Sequence, residues 1–282
     1  MTNRELDFFI ENALKEDLGD GDHTSLACIP EEAKGKAQLL VKEKGVLAGA
    51  SIGPLVFSKL DHEMSFTLLI DDGSDILPGD VVFIVGGSIL ALLQAERTVL
   101  NIMQRMSGIA TTTRLYAERL KGLKTKILDT RKTTPGMRML EKEAVRIGGG
   151  VNHRMGLYDM MLIKDNHIDF AGGIRKAIER SRQYLQRTGK DLAIEIEARS
   201  LEDVKTILDT GGVDRILLDN FSIDDTRAAV RMIGNLVETE SSGGITLETI
   251  RSYAECGVDY ISVGALTHHI DSLDLSLDAI DF

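Results

Sequence analysis

Tryptophan is absent, cysteine occurs twice, proline four times, and aromatic residues make up only 5% of the 282 residues. Cys28 and Cys256 lack any metal-ligand spacing and need no partner in a reducing cell. They read as buried free thiols, because free Cys behaves as a small hydrophobe. No run approaches the ~18 apolar residues needed to span a bilayer. The opening MTNRELDFFIENALKEDLGD breaks its apolar positions with Asn, Glu and Asp, unlike a secretory leader. Positive charge is also short, 33 Lys and Arg against 44 Asp and Glu, for a net charge of −11. A phosphate backbone is repelled by such a chain, so neither a nucleic-acid nor a membrane role is expected. What remains is a cytoplasmic globular protein, since 43% hydrophobic and 27% charged residues are ordinary for that class.

Against this acidic background one stretch reverses sign. Asp129 to His167 carries Arg131, Lys132, Arg138, Lys142, Arg146, Arg154 and Lys164 against five acids, with His153 beside Arg154 and the run Gly148-Gly149-Gly150 before them. Clustered cations repel unless a ligand neutralises them, so the stretch predicts an anionic small-molecule site. Glycines allow close backbone approach there. Arg138, Lys142 and Arg146 belong to an intervening helix and are expected to be solvated or paired charges.

Upstream, the spacing of Leu6, Phe9, Ile10, Ala13 and Leu14 predicts an amphipathic helix over residues 4–16. The acidic loop from Asp17 to Thr24 lacks the late bidentate Glu of a calcium loop and reads as a turn that caps this helix and starts a strand. Strands are predicted over 37–41, 64–70 and 81–85, with helices over 51–60 and 90–106. After Ser107-Gly108 the pattern changes. Strand candidates recur at 126–130, 160–164, 193–197, 215–219, 236–239 and 260–263, and each interval carries a helical pattern. Strand–helix–strand alternation implies parallel strands with right-handed crossovers. No GxGxxG follows a first strand, which counts against a doubly wound sheet. Polar residues fall at many strand ends, namely Arg131, Lys132, Lys164, Glu197, Asp219, Ser242 and Gly264, as barrel sites are built. Six strands predict an incomplete α/β barrel behind an N-terminal α+β sandwich.

Several residues carry chemistry in this frame. Ile194-Glu195-Ile196-Glu197 places both acids on one strand face. Glu197 and Asp219 could meet one ligand as hydroxyl acceptors or as partners of a hydrated Mg²⁺, or they could pair with nearby cations. Ser242-Gly243-Gly244, with Gly264, free backbone N–H groups for a phosphate, though a tight turn uses the same residues. Lys164 could form a Schiff base, but its cationic, anion-seeking surroundings favour a charged lysine. His153 could be a general base or a neutral donor. His167, His268 and His269 read as structural or surface residues.

The strings Thr130-Arg131-Lys132-Thr133-Thr134-Pro135-Gly136, Gly148-Gly149-Gly150-Val151-Asn152-His153-Arg154 and Lys164-Asp165-Asn166-His167 closely resemble the quinolinate phosphoribosyltransferase family. The resemblance starts at Glu16-Asp17-Leu18-Gly19-Asp20-Gly21-Asp22. It continues through Ala95-Glu96-Arg97-Thr98, Ser107-Gly108-Ile109-Ala110-Thr111, Leu218-Asp219-Asn220-Phe221 and Ser242-Gly243-Gly244-Ile245, covering nearly the whole chain. His23 and Glu143 depart from the family pattern, neither at a site position. The resemblance implies transfer of phosphoribosyl from phosphoribosyl pyrophosphate to quinolinate, with Mg²⁺ and loss of CO₂. It assigns the quinolinate carboxylates to Arg131, His153, Arg154 and Lys164, with Arg97 from a neighbouring subunit of a homodimer. Lys132 then faces pyrophosphate, Glu197 and Asp219 the ribose hydroxyls and Mg²⁺, and Ser242, Gly243, Gly244 and Gly264 the 5′-phosphate, with Thr130 in the same binding set. It also implies that residues 1–107 and the tail 269–282 form the sandwich domain and 108–268 the barrel. Two other readings remain: a molybdenum-transport-associated enzyme of the same fold, and a non-catalytic phosphosugar-binding protein.

Overall fold

The computed structural model describes residues 3–280. In chain order they form α1 (Asn3–Leu18), α2 (His23–Cys28), β1 (Lys34–Val41), β2 (Gly45–Val46), α3 (Gly53–Leu60), β3 (Ser65–Leu68), β4 (Asp75–Ile76), β5 (Val81–Ser88) and α4 (Ile89–Arg119). Then follow β6 (Lys126–Leu128), α5 (Arg138–Ile147), β7 (Met161–Ile163), α6 (Asp165–Ala171), α7 (Ile174–Thr188), β8 (Ile194–Ala198), α8 (Leu201–Thr210) and β9 (Arg215–Asp219). The chain ends through α9 (Ile223–Ile233), β10 (Glu238–Ser242), α10 (Ile250–Ala254), β11 (Tyr260–Ser262), α11 (Ala265–His268) and β12 (Leu275–Ile280).

Two compact units result. One holds the residues up to Arg114, Thr134–Gly149 and those from His269 onward; the other holds Leu115–Thr133 and Gly150–His268. In the first, β12-β1-β5-β3 form an antiparallel sheet. Burial alternates along β1, as a strand with one covered face requires. Phe57, Phe66 and Phe83 pack together in its core, with the Phe66 and Phe83 ring centroids 4.6 Å apart.

Helix α4 runs on through Ser107-Gly108 to Arg119, past the helix end predicted at residue 106. Ser107 Oγ accepts from Ala48 N at 3.0 Å, so this buried polar side chain is satisfied inside the unit. At Gly108 the backbone of Asp271 lies where a Cβ would stand, so glycine is required by packing and not by a turn. The glycine run after α5 has a similar task, because a Cβ at Gly148 would meet the Ala110 carbonyl at 2.5 Å. Arg146 pairs with Glu143, and Lys142 is buried, as is Glu141 beside it in the chain. Asp22 caps α2 by accepting from Ser25 N at 3.0 Å, so the acidic loop opens a helix and not the predicted strand. Cys28 is exposed, against expectation, and Cys256 is buried; both are free thiols.

The second unit is the predicted open barrel. Its parallel sheet runs β6-β11-β10-β9-β8-β7, so among the described residues β6 and β7 are its two edge strands, β6 with an added bridge between Leu128 and Val151. Along β8 every residue is buried. Ile194, Ile196 and Ala198 take one face, leaving Glu195 and Glu197 on the other. Strand β10 begins two residues later than predicted, because the pairing Glu238↔Arg215 to Ser242↔Asp219 pulls the polar Glu-Thr-Glu-Ser-Ser string into the sheet. Among the described residues no helix is long and apolar enough to cross a membrane.

Candidate active site

A cavity of about 820 Å³ opens at the C-terminal ends of the barrel strands. Parallel strands bring their ends to one side, so residues far apart in sequence converge there. From the segment after β6 come Thr130, Arg131 and Lys132; from the segment before β7, His153 and Arg154; and just after β7, Lys164. Strands β8 and β9 bring Glu197 and Asp219, and the two loops that follow β10 and β11 bring Ser242, Gly243, Gly244 and Gly264. Every site residue expected from the sequence lies here except Arg97, an exposed residue of α4 in the other unit.

The charges inside are arranged in pairs and by repulsion. Lys164 Nζ donates to Glu197 Oε1 at 2.8 Å, and Asp165 N donates to Glu197 Oε2 at 3.1 Å. Burial and the neighbouring Arg131 charge both pull the Arg154 guanidinium below its ordinary value, so an anion between the two arginines would relieve the strain. Asp219 is pushed up by burial and by the charge of Glu197, while Asn220 Nδ2 donates to its Oδ2 at 3.0 Å. Asp219 and Glu197 together offer only carboxylate oxygens, a donor set that fits a hard divalent cation shared with a phosphorylated substrate.

The strand-end loops expose backbone donors. Gly243 has φ 96° and Gly244 φ 62°, conformations natural to glycine. A Cβ at Gly243 would also run into the Asn220 side chain. Asn220 itself has φ 56° and donates its N–H to Ser242 O at 2.9 Å, locking the β9 and β10 ends together.

Beneath the cavity floor lies a polar layer. His153 Nε2 is 2.9 Å from Glu195 Oε2 and 3.4 Å from Glu240 Oε2, and its Nδ1 accepts from Arg154 N at 2.8 Å. Burial alone would push the imidazole down, yet the facing Glu195 and Glu240 push it up to about 9. The Arg154 amide hydrogen nevertheless requires an unprotonated Nδ1, and this direct contact decides for the neutral Nε2–H form. The extra proton such a carboxylate pair demands then belongs on Glu195, which burial and the Glu240 charge push up to about 7. Burial pushes Glu240 up, but its contacts with His153, Ser262 and Glu195 together hold it below its ordinary value.

His268, set aside as structural or surface, lines the cavity beside Gly264. Asn220, which lies in one of the resembling strings, lines it too, as do Thr246 and Ala265 just past β10 and β11. The spacing of α11 after β11 is the one clue that could have placed His268.

The geometry agrees with the comparisons. Residues 109–278 match the family described as quinolinate phosphoribosyl transferase, C-terminal domain, and residues 22–107 match its N-terminal domain. The chain belongs to the quinolinate phosphoribosyltransferase family. A probable nicotinate-nucleotide pyrophosphorylase (carboxylating) of Bacillus subtilis (strain 168) is 43% identical over 99% of this chain and 94% of the relative. A decarboxylating quinolinate phosphoribosyltransferase 2b, mitochondrial, of Nicotiana tabacum is 42% identical over 94% of this chain and 79% of the relative. The crystal structure of NadC from Streptococcus pyogenes superposes with TM-score 0.93 at 38% identity, covering 100% of this chain and 99% of that one. The open barrel and the N-terminal sheet are thus the fold of this family.

Proposed function

We propose that the chain transfers phosphoribosyl from phosphoribosyl pyrophosphate to quinolinate, releasing pyrophosphate and CO₂ and leaving nicotinate mononucleotide. The observation that carries this reading is the meeting of Arg131, Lys132, Arg154 and Lys164 with Glu197, Asp219 and the glycine loops in one cavity. Quinolinate is a dianion, and the planar forks of Arg131 and Arg154 suit its carboxylates. Lys164 adds charge, and His153 braces Arg154 through its ring. Lys132 faces the pyrophosphate, with Thr130 holding the turn by accepting from Lys132 N at 3.0 Å. Ser242, Gly243, Gly244 and Gly264 cradle the 5′-phosphate. Glu197 and Asp219 accept from the ribose hydroxyls and are the residues that would hold Mg²⁺, which when bound supplies charge to the departing pyrophosphate.

The pyridine nitrogen forms a bond to the ribose C1′ as the C1′–O bond to pyrophosphate breaks and its electron pair leaves with the pyrophosphate. Fixed cations stabilise that charge, and no covalent enzyme intermediate is needed. The ring nitrogen is then cationic and serves as the electron sink for the adjacent carbon. The C–CO₂ bond breaks, the pair stays on the ring carbon, and a proton from solvent completes the product. Decarboxylation thus follows transfer.

Arg97 is assigned to the site of a neighbouring copy in a homodimer, a placement supported by its exposure on α4 and its absence from its own chain's cavity. The free thiols support a cytoplasmic location. The molybdenum-transport-associated and non-catalytic readings have no observation in their favour, since no cation of the set is missing. The test is an assay of purified protein with Mg²⁺, phosphoribosyl pyrophosphate and either quinolinate or nicotinate. Nicotinate mononucleotide forming from quinolinate alone is expected; product from nicotinate at an equal rate contradicts the reading.

A further inference from the structure

Residues 152–160 lie between β6 and β7 without regular secondary structure, yet Arg154 in their midst is buried. A backbone that lacks helix or sheet hydrogen bonds must be fixed by side chains. Here Asp129 Oδ1 accepts from His153 N at 2.9 Å, the His153 ring accepts from Arg154 N at 2.8 Å, and Arg154 Nη1 donates to Met160 O at 3.2 Å. The ring can hold Arg154 only if the ring itself is held.

Its support comes from the barrel interior. Glu195 on β8 and Glu240 on β10 are fully buried and both face His153 Nε2. Behind Glu240, Arg215 on β9 donates to Glu240 Oε2 at 3.2 Å and to Glu238 Oε2 at 2.8 Å, and lies 4.1 Å over the Tyr260 ring of β11. Among the described residues, Glu195 Oε1 and Glu240 Oε1 are buried with no hydrogen-bond partner. Isolated buried acids are costly, so a column of this kind is retained for what it orients. Glu195 does not line the cavity, and therefore it acts on substrate only through others.

We propose that Glu195 and Arg215 are positioning residues for the anion site: with Glu240 they lock the His153 ring, and the ring fixes the backbone that aims the Arg154 guanidinium. The proposal rests on Arg154 binding a quinolinate carboxylate, and its test separates the two ideas.

Glu195→Gln keeps an oxygen to accept the Nε2 hydrogen and offers its amide to the unpartnered Glu240 oxygen. Glu195→Met matches the volume but holds nothing, leaving Glu240 and Arg215 as a balanced pair. With wild type assayed in parallel, Glu195→Met should raise the KM for quinolinate roughly tenfold, the worth of one strong hydrogen bond. The KM for phosphoribosyl pyrophosphate should stay within about twofold, and Glu195→Gln should restore both. Equal KM changes for both substrates, no change, or failure of the Gln variant to rescue overturns the proposal. A second measurement does not depend on either variant folding. The ring-nitrogen resonances of His153 in the wild-type protein, assigned by their loss in His153→Gln, should show a proton on Nε2 and none on Nδ1 at neutral pH. A proton on Nδ1 breaks the link to Arg154 and overturns the proposal. Absence of quinolinate turnover in the wild type would sink the functional reading and leave the ring measurement to decide the positioning role.

Discussion

Arg131 is exposed at the cavity mouth, and its charge depresses the buried Arg154 guanidinium. Removing it leaves Arg154 as the one arginine of this chain's own cavity to meet a dianion. Arg131→Ala should therefore weaken quinolinate binding by roughly ten- to a hundredfold, the range for a charged hydrogen bond, and affect phosphoribosyl pyrophosphate far less. Calorimetric titration of each substrate checks this, and equal loss of both contradicts the assignment. Single residues also show what the sequence could and could not reveal. Arg131, Lys132, Arg154 and Lys164 stood out because cations clustered in an acidic chain need a reason. His268 did not, because a histidine in a short C-terminal helix has no pattern that distinguishes a cavity wall from a surface. The engagement of His153 on both nitrogens was equally hidden, since it depends on Glu195 and Glu240, which come from strands much later in the chain.

The loops that follow strands carry the next set of expectations. Gly243 combines a positive φ with an Asn220 side chain that lies where a Cβ would stand, so Gly243→Ala should cost about 1–3 kcal/mol and raise the KM for phosphoribosyl pyrophosphate. Thermal unfolding and steady-state kinetics measure the two effects. At the opposite end of the strands, Asp259 ties β10 to the start of β11: its Oδ2 accepts from Thr239 N at 2.9 Å and Thr239 Oγ1 at 2.8 Å, and Lys124 Nζ donates to Oδ1 at 2.7 Å. Burial pushes this carboxyl up, but those hydrogen bonds together hold it below its ordinary 3.8. A group depressed in the folded state stabilises it above the unfolded value, and that stability fades as pH falls through the folded value. Below about pH 4 the wild type should thus lose Tm more steeply than Asp259→Asn, and parallel curves would refute the linkage. Elements were legible where period and composition agreed, as in α9 and β9. They were misread where tertiary contacts overrode them. Ser107-Gly108 looks like a helix end and is a packing site, and the polar β10 looks like a loop until its neighbours pair with it.

For the whole molecule, the alternation of strands and helices after Gly108 made the open barrel readable, and its strand-end residues pointed to the lining of the cavity. The first unit was less so. Its sheet is closed by β12 from the far end of the chain, a pairing that local patterns do not encode. The proposed assignment of Arg97 to a neighbour's site predicts that activity belongs to a dimer. Arg97→Ala and Arg131→Ala should each be severely impaired, while an equal mixture allowed to exchange subunits should recover roughly a quarter of wild-type activity, because mixed dimers hold one intact site. No recovery despite measured exchange removes Arg97 from the shared site. The central claim is that this cation-lined cavity alkylates quinolinate on nitrogen before it releases CO₂. Labelled CO₂ released from carboxyl-labelled quinolinate tests it most directly. Release should require phosphoribosyl pyrophosphate and match pyrophosphate one for one; CO₂ evolved without phosphoribosyl pyrophosphate would contradict the account.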